Sequence, residues 1–176
     1  MSILRLVIFA TGTIALVWFS RVSLRNPRVH GFYRFFAFES LLALILLNLP
    51  YWFKEPLSFL QIVSWFLLAI SLYMAVAGWY LLVVSGKPSG NLEQTTSLVQ
   101  RSVYKHIRHP LYASFVWLGW GVYLKAPSLT AAILTLVATV AAIVTARVEE
   151  VENISKFGDD YQAYMQSSKM FIPFIY

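Results

Sequence analysis

Residues 129–150 read LTAAILTLVATVAAIVTARVEE, an apolar stretch of membrane-spanning length that ends in two adjacent carboxylates. A helix rises 1.5 Å per residue, so roughly 20 apolar residues cross the hydrocarbon layer of a bilayer. Leu129–Val148 meets that requirement, and four more apolar runs precede it: Ile3–Phe19, Phe32–Pro50, Leu57–Val84 and Leu111–Leu124. The second fits a single crossing, the third is long enough to tilt or to extend past the interface, and the fourth is short. The whole chain of 176 residues is 59% hydrophobic and 12% charged, with a mean hydropathy of +0.64. Such a composition excludes a soluble domain. The expected fold is all-α: a multi-pass bundle of about five transmembrane helices, with an interfacial helix before the fourth and a cytoplasmic helix at the C-terminus. Residues 1–84 form an N-terminal three-helix membrane region and 85–176 a C-terminal core, within one structural domain. The first run resembles a signal peptide in length. No small-x-small cleavage site precedes Arg21, so it is expected to stay as an anchor.

Lysine and arginine set the orientation. Arg21, Arg25, Arg28 and Arg34 follow the first run, and Lys87, Arg101, Lys105 and Arg108 follow the third. Arg147, Lys156 and Lys169 close the fifth, leaving only Arg5, Lys54 and Lys125 for the opposite side. The N-terminus is therefore expected outside and the C-terminus in the cytoplasm, most simply across a cytoplasmic membrane. The net charge of +6 reads as topology and attraction to anionic membrane lipids, not as nucleic-acid binding. With no cysteine, there is no disulfide framework, thiol nucleophile or thiolate metal site.

The cytoplasmic side carries the candidate chemistry. Ser85-Gly86-Lys87-Pro88-Ser89-Gly90-Asn91 is a breaker-rich loop. Leu98, Val99, Val103 and Ile107 recur at helical spacing with Arg101, Lys105 and Arg108 between them, which predicts a basic amphipathic helix lying in the interface. Pro110 pushes His109 out of helical geometry and then opens the next helix. The exposed amides of that helix start attract an anion, and His109 and Tyr112 flank the place. On the bland reading His109 only caps the helix and Tyr112 anchors it in the interfacial aromatic belt. On the fifth run, Thr135, Ala138, Ala142 and Thr145 make a small-residue stripe that permits close helix approach. Glu149 continues it, and Glu150 turns about 100° away. A structural alternative pairs Glu149 with Arg108 or Arg147. Glu152 and Lys156, at i and i+4, read as a surface ion pair.

Leu98-Val99-Gln100-Arg101-Ser102-Val103-Tyr104 and Arg108-His109-Pro110-Leu111-Tyr112 resemble the C-terminal signature of membrane methyltransferases of the isoprenylcysteine carboxyl methyltransferase and phospholipid methyltransferase type. Glu149-Glu150 followed by Phe157-Gly158-Asp159-Asp160-Tyr161, Tyr164 and Pro173 belongs to the same pattern. The resemblance covers about Thr96 onward and implies an S-adenosylmethionine-dependent methyltransferase acting on a lipophilic or lipid-linked acceptor that enters from the bilayer. It places Thr96, Ser97, Leu98, Val99, Tyr104, His109, Pro110, Leu111, Tyr112 and Glu149 at the cofactor, and makes Glu149, Glu150 and Arg108 the candidates for catalytic duty. No metal is implied. A carboxylate such as Glu149 suits the cofactor's ammonium, and the helix start at Pro110 suits its carboxylate. Methyl transfer needs alignment and water exclusion more than a nucleophilic residue.

Two departures stand out. The family commonly carries glycine and histidine where this chain has Ser102 and Thr96. Its carboxyl-methylating branch tends to place an arginine where Thr145 stands, which weakens a prenylcysteine carboxylate as acceptor. Three rival readings stand beside this one. A sterol-reductase-type enzyme using NADPH shares Arg-His-Pro-x-Tyr and suits Ile172-Pro173-Phe174-Ile175-Tyr176. A di-iron oxygenase needs more histidines than His30, His106 and His109, and a non-catalytic subunit would keep the scaffold without turnover. Glu39, inside the second run, calls for a protein partner or a water-filled cavity: the acceptor entrance, Arg34, Arg25 or a site nearer the interface. Trp117, Trp120 and Tyr123 read as an interfacial or packing set, and Gly119 and Gly121 as points of helix contact.

Overall fold

The computed structural model describes residues 2–87, 95–173 and 175. Among these residues the chain is all-helical, with seven α-helices and no named strand. They are α1 (Ile3–Ser20), α2 (His30–Asn48), α3 (Phe59–Ser85), α4 (Val103–His106), α5 (Pro110–Tyr123), α6 (Leu129–Phe157) and α7 (Asp159–Ser167). Ser2 and Ser128 cap the starts of α1 and α6, their side chains accepting from the amides of Arg5 and Ala131. Pro88–Asn91 of the breaker-rich loop, and Phe174 and Tyr176 of the tail, lie outside the described residues.

Four segments are long and apolar enough to cross a membrane: Ile3–Ser20, His30–Tyr51, Phe59–Ser85 and Leu129–Phe157. The fourth apolar run, expected as a further crossing, forms α5. Its 14 residues make a helix of about 21 Å, too short for a layer of about 30 Å. By contrast, the 29 residues of α6 reach about 43 Å, so its last two turns or more run past the hydrocarbon layer and carry Glu149 and Glu150 out of it. Where an interfacial helix is expected, residues 98–100 have no regular secondary structure, Ser102 adopts φ +54°, and α4 is a single turn.

α2 packs antiparallel on α6 and α3 antiparallel on α5, with α5 also wedged against α6. The stripe on α6 fulfils its expected purpose: Thr135, Ala138, Ala142 and Thr145 are at most 1% exposed. The hydroxyls of Thr135 and Thr145 donate to the carbonyls four residues back, so they cost no unsatisfied polar group. Gly121 permits the close approach of α5 to α3. A Cβ there would stand 3.0 Å from the Leu68 side chain, and the Gly121 carbonyl accepts from Ser64 Oγ at 2.7 Å. α1 touches α2 and buries none of its own residues. Glu39 faces protein, as expected: one oxygen accepts from Thr13 Oγ1 of α1 at 2.6 Å, and the other is buried without a hydrogen bond.

The two ends of the bundle differ. At one, the Lys125 ammonium lies 3.5 Å from the Trp65 ring centroid and donates to Gln61 Oε1, tying the start of α3 to the α5–α6 connection. At the other end gather the α1–α2 connection, the end of α3, α4, the start of α5 and the end of α6. Glu152 there accepts from the backbone N–H of His30 at 3.3 Å and sits 2.7 Å from His30 Nδ1. The expected Glu152–Lys156 surface pair gives way to this contact because α2 starts beside α6, and a helix start attracts a carboxylate.

Candidate functional site

Pro110 breaks the chain as proline dictates. His109 takes φ −124° and ψ 61°, and α5 begins with Pro110 at its first position. The break leaves backbone groups of residues 106–109 without helical partners. The segment after α7 satisfies them: Lys169 N–H donates to His106 O at 3.0 Å, Arg108 N–H to Lys169 O at 2.7 Å, and His109 N–H to Met170 O at 3.2 Å. Ile107 and Lys169 thereby form a parallel bridge. The tail is strapped across the start of α5.

Arg108 tightens the strap. Its Nε donates to Glu150 Oε1 at 2.7 Å, and its terminal nitrogen donates to the carbonyls of Met165 at 3.1 Å and Ser168 at 2.5 Å. Both partners of the Arg108–Glu150 pair have side chains only 10% exposed. The ring of His109 stacks on Tyr112, with centroids 5.7 Å apart, and meets the edge of Phe171. His109 Nε2 stands 3.4 Å from Glu150 Oε1, near enough for charge attraction but not aligned to donate. A buried ring nitrogen without a hydrogen bond is a costly feature that a bound polar group would relieve.

One cavity opens beside this assembly. Ser97, Leu98 and Val99 line it from the segment before α4, Tyr104 from α4, Leu111 and Tyr112 from α5, and Glu149 from α6, together with Arg108 and His109. Thr96 stays outside: it is exposed, and its hydroxyl donates to Lys87 O at 2.8 Å. Pro110 packs instead toward Gly78 of α3. Glu150 lies behind the wall, held by Arg108. Glu149 does not take Arg108 as its partner. It is hydrogen-bonded to the Tyr112 hydroxyl, which also meets the Arg34 guanidinium.

Further residues complete the lining that sequence reasoning left out: Arg34 and Phe38 from α2, Phe115 from α5, Asn153 from α6, and Tyr161 and Tyr164 from α7. Arg34, expected from topology and as a candidate partner of Glu39, carries one further signal: a cation flanked by aromatics inside an apolar run. Tyr164 is fixed by donating to the Tyr104 carbonyl at 2.5 Å. Burial pushes the phenols of Tyr104, Tyr161 and Tyr164 well above the usual tyrosine range, and the Glu149 carboxylate adds to this at Tyr104 and Tyr161. All three remain protonated donors at neutral pH.

A cavity walled by span ends on one side and by a strapped tail on the other suits a reaction at a membrane surface. Comparison with known proteins agrees. Residues 58–160, more than half of the chain, match the phospholipid methyltransferase family model, and the chain belongs to that family. Its four long apolar helices make it an integral membrane protein of that family. It is also 37% identical over 73 residues to Methanethiol S-methyltransferase 1 of Bradyrhizobium diazoefficiens, a stretch covering 40% of this chain and 24% of that protein. The match thus spans about a quarter of the relative's length. No solved structure matches the chain.

Proposed function

We propose that the chain transfers a methyl group from S-adenosylmethionine to a lipophilic acceptor that reaches the cavity from the bilayer. The observation that carries this reading is the meeting of Glu149 with Tyr112 and His109 in one cavity at the end of the spans. The donor set fits the cofactor. Glu149 would hold its ammonium, while His109 and the neutral phenol of Tyr161 would serve its carboxylate and ribose. Leu98, Val99 and Leu111 offer apolar surface for the adenine. When bound, the cofactor supplies an already activated methyl carbon. The protein's own work is then to orient the acceptor and keep water away. Tyr161 and Tyr164 of α7 close one wall, and the tail segment from Met165 to Met170 braces them against Arg108 and the start of α5. We place the cavity on the cytoplasmic side, where eleven of the fourteen basic residues gather. A sulfur nucleophile, as in the name of the Bradyrhizobium relative, is among the acceptors such a cavity could take.

Calorimetric titration of the purified protein with S-adenosylmethionine tests the reading. Glu149→Gln and His109→Ala should each weaken affinity about 10- to 100-fold, the worth of one charged hydrogen bond, while the proteins stay folded in detergent. Unchanged affinity in both variants overturns the site. Binding of NADPH in place of S-adenosylmethionine overturns the activity.

A further inference from the structure

Arg34 stands outside residues 58–160, so the family match assigns it nothing. It nevertheless lines the cavity together with Tyr112 and Glu149. The register of two helices puts it there. At the start of α2, His30 Nδ1 lies 2.7 Å from the Glu152 carboxylate of α6. The two helices pack antiparallel, so one turn inward from that contact stands Arg34 on α2 and, three residues back, Glu149 on α6. Tyr112 of α5 reaches both, its hydroxyl hydrogen-bonded to the Glu149 carboxylate and to the Arg34 guanidinium.

The chemistry of the three groups decides which way each bond runs. A guanidinium carries donors and no acceptor, so the Tyr112 oxygen accepts from Arg34. An ionised carboxylate only accepts, so the single phenol proton goes to Glu149. The ring cannot swing away: Tyr112 is buried, stacked on His109 with centroids 5.7 Å apart and packed against Phe115. The Arg34 guanidinium is in turn backed by the Phe38 ring, 5.9 Å from its centroid. A donor into the phenol oxygen strengthens the bond that the phenol makes onward.

Resting on the methyl-transfer reading above, we infer that Arg34 is a positioning residue: through the Tyr112 hydroxyl it holds the Glu149 carboxylate in the orientation that receives the ammonium of S-adenosylmethionine. With Arg34 donating to the phenol oxygen, the phenol proton is committed to Glu149. One side of the carboxylate is then fixed, and its remaining lone pairs are left for the cofactor. Arg34 does not touch the cofactor in this scheme. The opposite charges on either side of the phenol also lower the cost of keeping a carboxylate beside an apolar cavity.

The test titrates the full chain calorimetrically with S-adenosylmethionine, with its decarboxylated form, which keeps the ammonium, and with methylthioadenosine, which has neither ammonium nor carboxylate. It compares the wild type with Arg34→Gln, Arg34→Lys, Tyr112→Phe and the Arg34→Gln/Tyr112→Phe double variant. Arg34→Gln should weaken the first two ligands about tenfold each, the worth of one hydrogen bond, and leave methylthioadenosine within about twofold. Arg34→Lys, which keeps a donor, should recover part of the loss. The double variant should bind no more weakly than Tyr112→Phe alone, because both substitutions cut the same chain of bonds. Loss confined to S-adenosylmethionine overturns the proposal, since Arg34 would then grip the cofactor's carboxylate directly. Equal loss for all three ligands overturns it in favour of a structural role, and additive losses in the double variant show that Tyr112 is not the link. Unchanged affinity in Arg34→Gln overturns it as well. Failure of the wild type to bind S-adenosylmethionine at all removes the methyl-transfer reading itself, and the role of Arg34 falls with it.

Discussion

Ser102 shows how one backbone angle ties a departure in sequence to a cost in structure. Its φ of +54° lies in the region that favours glycine, and it opens the single turn of α4 that carries Tyr104. Where the resembling family commonly has glycine, this chain holds a side chain in a strained conformation. Ser102→Gly should therefore stabilise the protein by about 1 kcal/mol, read as a higher thermal midpoint in detergent. The residue is exposed, so packing would not offset the gain. His109 and Glu149 were legible as site candidates for a similar reason: proline and a membrane edge each leave a chemical mark on one position. Arg34 was not, since its place in the cavity depends on how α2 lies against α5 and α6. No local pattern encodes that.

Between elements, the antiparallel pairing of α2 with α6 matters most, because it sets Arg34 opposite Glu149. Glu152 helps fix its register by accepting from His30 at the start of α2. Glu152→Ala should lower stability by only about 0.5–1 kcal/mol, since the carboxylate is partly exposed. The informative readout is loss of midpoint in the variant set against a His30→Ala/Glu152→Ala double variant. Near-additive losses would mean that the two residues do not act together. The stripe ending in Glu149 was readable from its spacing of three and four residues. Glu152 was misread for an equally physical reason: i,i+4 spacing creates an opportunity for a pair, and a neighbouring helix start is a stronger attractor than a flexible lysine. The amphipathic pattern at 98–107 misled in the same way. Its apolar residues face the end of α3 and the tail from an irregular segment and one turn, so periodicity was present without a long helix.

Over the whole molecule, the sequence made plain that the chain is a membrane bundle whose basic residues gather at one end, because composition and charge asymmetry are global quantities. The number of crossings was less legible, since a 14-residue apolar run can be buried among other helices without spanning. The segment from Met165 to Met170 was visible only as part of a motif, and its role as a wall comes from the hydrogen bonds that reach it from residues 106–109. Removing residues 167–176 should leave a protein that inserts and extracts normally but binds S-adenosylmethionine at least about 10-fold more weakly, measured by calorimetry. Intact affinity would show that the strap is dispensable. The same threading has a consequence for biosynthesis. The ribosome makes every span before it makes Lys169, so the newly inserted bundle passes through a stage with an open, inactive pocket. Competence is conferred by the last stitch, and a bulky fusion placed close behind that stitch should delay maturation without disturbing insertion.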